Sequence, residues 1–215
     1  ATGTGKERIA EMIHNASPRN GFPLVKVNIA ALPDTLIESE LFGAEKGAFT
    51  GAVKRITGKF EAAANGTLFL DEITEFPLGS QVKILRAIQE KEIFRLGSST
   101  PIKVDVRVIA ATNRDMEQLV EENRFRPDLY YRLNVIKIDL PPLADRKEDI
   151  PALVDFFIKK YAEREKKQVK GIRRDALKWL LRHDFPGNVR ELENMIERGV
   201  VLGTGEYLEK QDVDV

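Results

Sequence analysis

The sequence contains no cysteine, only two histidines and one tryptophan, and its 34 basic residues are balanced by 34 acidic ones. Without cysteine, disulfides and thiolate metal sites are excluded. His14 and His183 stand far apart with no supporting ligand pattern, so no metal cage is expected beyond one a nucleotide brings with it. A formal net charge of zero excludes a general electrostatic grip on nucleic acid or on an anionic membrane; any such contact must be local. No apolar run approaches the roughly 20 residues of a membrane helix, and the start does not read as a signal peptide. The expectation is a cytoplasmic protein with no membrane contact. At 215 residues the chain can bury a substantial core, enough for one ordinary domain and a small appendage.

What is present begins with two kinds of periodicity. Ile9, Met12, Ile13 and Ala16 recur at helical spacing directly after glycines, and "SQVKILRAIQE" and "MEQLVEEN" carry further helical patterns. Between them, "VKVNI" at 25–29, "TLFLD" at 67–71, "VRVIAATN" at 106–113 and "VIKIDL" at 135–140 read as strands. Strands separated by helices predict a parallel sheet flanked by helices, an α/β fold. Pro141-Pro142 breaks the chain, and no strand pattern follows. Ile150, Leu153, Val154, Phe157, Ile158 and Tyr161 form one helical face, and Ala176, Leu177, Leu180 and Leu181 form another. A last helix follows Phe185-Pro186-Gly187, with Asn188 and Glu191 spaced as N-cap and third residue. The expected division is an α/β core over 1–140 and a small all-α unit over 141–215.

The chain opens "ATGTGKE". In the phosphate-loop pattern G-x-x-x-x-G-K-[ST], Gly5 and Lys6 supply the second glycine and the lysine, and the first glycine falls just ahead of Ala1. The reading therefore expects polypeptide before residue 1, including the remaining glycine and the strand that precedes such a loop. Glycines let backbone N–H groups converge on phosphate oxygens at a helix N-terminus, while the lysine meets the terminal phosphates. Glu7 stands where serine or threonine ordinarily ligates magnesium. "FLDE" ends a buried strand with Asp71 and Glu72, an arrangement in which one carboxylate holds Mg2+ and the next orients the attacking water. Together with the polar strand end Thr112-Asn113 and the arginines Arg126 and Arg132, these signals make nucleotide hydrolysis the leading reading. Arginine from a neighbouring subunit can neutralise charge on a transferred phosphoryl group. Arg190, close to a helix N-terminus, could reach phosphates from a helical lid. The other reading left open is a nucleotide-gated oligomerisation module.

A long segment without clear period contains Gly47-Ala48-Phe49-Thr50-Gly51-Ala52, one phenylalanine and one threonine among small residues. With "GTGKE", "ESELFGAEKGAFTGA", "GTLFLDEI", "ATNRD", "FRPDLYYRLNV", "PPL" and "PGNVREL" in this order, the chain resembles the AAA+ ATPase domain of bacterial enhancer-binding proteins, the NtrC family of sigma-54-dependent transcriptional activators. The GAFTGA stretch is the decisive motif.

The resemblance implies an ATP-hydrolysing hexameric or heptameric ring that remodels closed complexes of sigma-54 RNA polymerase holoenzyme, touching sigma-54 through Gly47–Ala52. It implies nucleotide binding by Gly3, Thr4, Gly5, Lys6 and Glu7, Glu7 being the family's usual residue after the lysine. It assigns Asp71 and Glu72 to the Walker B pair, with Asp71 the magnesium ligand. Asn28 would restrain that glutamate, Thr112 and Asn113 would form the first sensor, Arg126 and Arg132 the arginine fingers and Arg190 the second sensor. Cofactors are ATP and Mg2+. DNA would be met only through a separate C-terminal helix-turn-helix domain, and signals through an N-terminal regulatory domain as in two-component systems. Where the family commonly reads "PPLRER", this chain reads Pro141-Pro142-Leu143-Ala144-Asp145-Arg146, so one linker arginine is replaced by Ala144; Phe185 stands where tryptophan is frequent.

Overall fold

A computed structural model describes residues 2–214. They form two units: residues 6–138, and residues 139–214 together with 2–5.

In the first unit, helix α1 (Lys6–Asn15) leads to strand β1 (Leu24–Asn28), helix α2 (Asp34–Phe42), the short α3 (Lys59–Ala62) and strand β2 (Thr67–Asp71). Helix α4 (Gln81–Gln89) precedes the paired strands β3 (Glu92–Ile93) and β4 (Ile102–Lys103), then strand β5 (Arg107–Ala110) and helices α5 (Met116–Glu121) and α6 (Pro127–Leu133). The sheet is parallel in the order β1-β2-β5. β2 lies between two neighbours, which is why Thr67 through Leu70 are all buried and why its sequence is an unbroken apolar run. Stacked Phe42 and Phe60, with ring centroids 5.6 Å apart, join α2 to α3 in the same core.

The expected strand over 135–140 does not form. Val135, Ile136 and Ile138 stand exposed, Ile136 at 81%, and no strand among the described residues lies beside them. Alternation alone does not make a strand; a ladder partner must satisfy its backbone groups.

In the second unit, helix α7 (Ile150–Glu165) packs on α9 (Asn188–Leu202), with α8 (Arg174–Arg182) and the short α10 (Lys210–Val213) completing the bundle. A two-residue parallel pair, β6 (Gly171–Ile172) with β7 (Tyr207–Leu208), was not expected; segments this short carry no readable period. The cap of α9 also differs from expectation. Gly187 is the N-cap residue, and the Glu191 carboxylate accepts from its N–H at 2.7 Å. Asn188 has a left-handed backbone (φ +55°) and turns its buried amide to other partners, Oδ1 accepting from Leu143 N at 2.8 Å.

The irregular segment 43–58 is fixed at its base. Ala44 bridges Ile56 and Leu96, Glu45 N donates to the Leu96 carbonyl at 3.0 Å, and Leu96 N donates to Gly43 at 3.0 Å. Beneath this base the Arg95 side chain, 8% exposed, donates to Glu61 through both Nε (2.9 Å) and Nη2, and to Glu45 Oε1 at 2.8 Å. Burial alone would raise the Glu61 carboxyl, but the Arg95 guanidinium outweighs that and holds it below the ordinary glutamate value. A group with a depressed folded pKa adds stability that is full above its unfolded value and disappears as pH falls through the folded one. Glu61→Gln, which leaves the Arg95 charge undercompensated, is expected to cost about 3 kcal/mol near neutrality. Denaturant titrations of wild type and E61Q should show this gap closing below the ordinary glutamate value of 4.5; a gap independent of pH would refute the assignment.

Candidate functional site

β1 and β2 pair so that Asn28 stands opposite Asp71, and β2 pairs with β5 so that Leu70 stands opposite Ala110. The three strands therefore end at one level, and the residues just past them collect at a common edge. Asp71 Oδ1 accepts from Glu72 N at 3.1 Å, and Glu72 has a left-handed backbone (φ +53°), which turns the chain sharply at the strand end. The Glu72 carboxylate is held from two sides. Lys6 Nζ donates to Oε1 at 3.3 Å and Asn113 N donates to Oε2 at 3.2 Å. Burial, with the charge of Glu72 beside it, pushes the Asp71 carboxyl above the ordinary aspartate range against a smaller opposing pull from Lys6.

Not every expected member joins this cluster. Asn28 is exposed at its strand end and makes no side-chain hydrogen bond among the described residues, so Glu72 is restrained by Lys6 and Asn113 instead. Thr112 Oγ1 bonds Thr74 Oγ1 at 2.9 Å and accepts from Arg114 N at 3.0 Å; it shapes the turn and leaves the contact with Glu72 to the Asn113 amide. Glu7 is paired elsewhere: its carboxylate accepts from Lys26 Nζ at 2.9 Å, and Lys26 also holds Glu11, while the Glu7 charge adds a lesser upward push on Asp71. Lys26 sits on β1 as the polar residue of an alternating strand, so the ammonium is available on the side of α1 that carries both glutamates.

Residues 2–5 are glycine-rich and irregular, and Gly3 (φ +74°) and Gly5 (φ +99°) adopt backbone that other residues rarely take. A side-chain carbon on Gly3 would lie 2.4 Å from the Gly187 carbonyl oxygen, whereas one on Gly5 would meet nothing within 4 Å. Arg190 is the third residue of α9, and its backbone N donates to the Gly3 carbonyl at 3.3 Å.

Arg126 and Arg132 are in separate surroundings. Arg126 is the N-cap of α6, and its guanidinium meets Asp128 through Nε (3.0 Å) and Nη2 (2.6 Å). Its backbone is placed by Gln81, a fully buried side chain whose Oε1 accepts from Arg126 N at 2.8 Å while Nε2 donates to Phe76 and Arg124 carbonyls. Arg132 lies exposed in the last turn of α6. No hydrogen bond or ion pair joins either arginine to Asp71 or Glu72 among the described residues.

The segment Gly47–Ala52 turns on two glycines of positive φ, Gly47 (+83°) and Gly51 (+104°). Gly47 N donates to Ala52 O at 2.9 Å and Ala52 N to Phe49 O at 3.0 Å, so the tip is a closed turn. Ala52 is buried and Ala48 packs against Gly97, where a side-chain carbon would lie 2.9 Å from the Ala48 methyl. Phe49, Thr50 and Val53 are left exposed, Val53 at 79%. Gln81, Arg95, Glu61 and Glu45 were missed by the sequence reading. The only signal for them was a glutamine, an arginine and glutamates within otherwise apolar contexts.

The sigma-54 interaction domain family matches residues 1–139, and the AAA+ ATPase lid domain family matches residues 144–214. The transcriptional regulatory protein ZraR of Salmonella typhimurium is 56% identical over 212 residues, which are 99% of this chain and 48% of that protein. The DNA-binding transcriptional activator HyfR of Escherichia coli is 58% identical over 207 residues, 96% of this chain and 31% of that protein. The chain thus spans about half the length, or less, of these relatives. Crystal structures of NtrX from Brucella abortus in complex with ADP and with ATP each superpose with a TM-score of 0.90 at 38% identity, covering 99% of this chain and 47% of NtrX. Hsp104 of S. cerevisiae, at 19% identity and a TM-score of 0.67 over 93% of this chain and 38% of its own, shares the fold. On these matches, which run through both units in order, the chain belongs to the sigma-54 interaction domain family of AAA+ ATPases.

Proposed function

We propose that this chain is the motor of a sigma-54-dependent transcriptional activator, hydrolysing ATP with Mg2+ in a hexameric or heptameric ring and using Phe49 and Thr50 to engage sigma-54 holoenzyme in the cytoplasm. Residues 1–140 would be the nucleotide-binding core and 141–215 the lid. The observation that carries the reading is Glu72 held between Lys6 and the Asn113 amide at the end of a buried strand, directly after Asp71.

The residues present fit a magnesium-bound nucleoside triphosphate. Asp71 is a carboxylate burdened by burial and by a like charge, the state that a divalent cation relieves. Gly5 leaves open space ahead of α1 for an anion at a helix N-terminus. When bound, the nucleotide supplies the phosphoryl group and the cation shields its charge. Lys6 then exchanges one anion for another, from the Glu72 carboxylate to phosphate oxygens, and this exchange frees Glu72 to orient a water. Without phosphate the pair Lys6–Glu72 keeps the base neutralised and idle. Arg126 and Arg132, which the family resemblance makes arginine fingers, would act on a neighbouring subunit's site. The turn at Gly47–Ala52 stands on a base clamped by Arg95 and Leu96, so motion of that base is carried to the tip without being absorbed by slack.

Two measurements test this. Thr50→Ala is expected to leave steady-state phosphate release nearly unchanged while abolishing open-complex formation on a sigma-54 promoter; parallel loss of both would place the loop in the hydrolytic site. Glu72→Gln should reduce turnover by at least about 10²-fold, and mixing E72Q with R126A should recover part of it at hybrid interfaces. Mixed rings no more active than either variant alone would rule out fingers acting in trans.

A further inference from the structure

We infer that Arg146 and Asn188 are positioning residues for the phosphate loop, setting the direction of its backbone amides by holding its carbonyls. The inference rests on the nucleotide-binding reading above. The observations lie within the unit that contains residues 2–5 and 139–214. Asn188 Nδ2 donates to the Thr2 carbonyl at 3.0 Å, Arg190 N donates to the Gly3 carbonyl at 3.3 Å, and Arg146 Nη2 donates to the Thr4 carbonyl at 2.7 Å. Successive carbonyls of one short loop are thus all bound by donors from a single set of elements.

Peptide planarity gives this its consequence. In a trans peptide the C=O of one residue and the N–H of the next point in opposite directions. Fixing the Thr2 carbonyl against Asn188 directs the Gly3 amide the other way, and fixing the Thr4 carbonyl against Arg146 does the same for the Gly5 amide. The Gly3 carbonyl, held by Arg190 N, directs the Thr4 amide likewise, and successive N–H groups turned to one side form the concave nest that binds phosphate oxygens. The Gly5 side has open space, while the Gly3 side is closed by the Gly187 carbonyl, as this orientation requires.

Both side chains are committed to the task. Asn188 is 3% exposed and also holds Leu143 N, so its amide cannot rotate without breaking two bonds. Among the described residues Arg146 meets Asp149 at 3.6 Å and its buried Nε finds no hydrogen-bond partner, so the Thr4 carbonyl at 2.7 Å is its shortest contact.

The test uses Arg146→Gln, which cannot span the gap with its shorter side chain, and Asn188→Asp, which keeps the acceptor for Leu143 N but replaces the donor to Thr2. Fluorescent ADP analogue with magnesium is titrated into the full chain, and amide hydrogen exchange is followed on residues 2–8 without nucleotide. Each variant should weaken binding about tenfold, equivalent to roughly 1.4 kcal/mol, and speed exchange in the loop, with the melting transition retained. Arg146→Lys, which keeps a cationic donor, should recover most of the affinity. Should R146Q lower the melting transition, N188D and R146K carry the test. Binding and loop exchange unchanged from wild type in folded variants would overturn the inference. Wild type that binds no nucleotide would instead defeat the nucleotide-binding reading, while altered loop exchange in the variants would still support the positioning role.

Discussion

The parallel register of β1, β2 and β5 is the constraint on which the core's chemistry depends. Parallel strands run in the same sense, so their C-terminal ends fall on one edge, and residues that leave the ladder there are adjacent without being adjacent in sequence. Asn28 opposite Asp71 and Ala110 opposite Leu70 are the visible register marks. A slip of one residue would send every side chain of β2 to the opposite face. Because β2 is buried on both faces, its core would tolerate the change in polarity better than its end would: Asp71 would be exchanged for Leu70 or Glu72 at the place where α1 brings Lys6. The apolar run "TLFL" thus specifies burial, while the acid pair that follows depends on where the ladder stops.

That stopping point also explains the tension stored at the site. Glu72 sits in left-handed backbone, and its carboxylate faces the Lys6 ammonium, while burial and the charge of Glu72 push the Asp71 carboxyl above the ordinary aspartate range. The two acids differ because their surroundings differ: Glu72 meets the Lys6 ammonium and the Asn113 amide directly, while Asp71 is pushed up first by burial and then by the like charge of Glu72. A site arranged this way gains from a ligand that brings both negative oxygens for the lysine and positive charge for the aspartate. Neither half alone resolves both imbalances.

Much of this was legible in residue order. The apolar run of β2, the alternation of β1, the helical face of α7 and the acid pair after Leu70 all carry periodicity or punctuation that local physics produces. Four readings did not survive contact with tertiary structure, for separable reasons. Residues 135–138 alternate but have no ladder neighbour among the described residues, so pattern without pairing left them exposed. Asn188 has the chemistry of an N-cap, yet its left-handed backbone and its bonds to Leu143 and Thr2 remove it from that duty, and Gly187 with Glu191 takes over. Glu7 is anomalous in a phosphate loop only until Lys26, nineteen residues away, is seen to claim it. Asn28 was expected to hold Glu72, but that carboxylate is met by Lys6 and a backbone amide, and backbone donors leave no trace in residue identity.

The residues that sequence reasoning missed share one physical task. Irregular segments carry the groups proposed for function: residues 2–5, the tip at Gly47–Ala52 and the approach to α6. None has a ladder to satisfy its backbone, and unpaired backbone groups shielded from water are costly. Polar side chains in or just beside regular elements bind these segments, through main-chain atoms or through carboxylates. Gln81 on α4 binds the chain at Phe76, Arg124 and Arg126; Arg95 binds beneath Glu45 and Glu61; Arg146 and Asn188 bind Thr4 and Thr2. Each such residue must be polar, so hydropathy does not select it, and partly or fully buried, so exposure does not either. Its partner is a main-chain atom, or a carboxylate remote in sequence, so no local motif encodes it. One polar side chain anchored in or beside a regular element is therefore how this fold gives loops defined geometry while leaving their glycines free to turn.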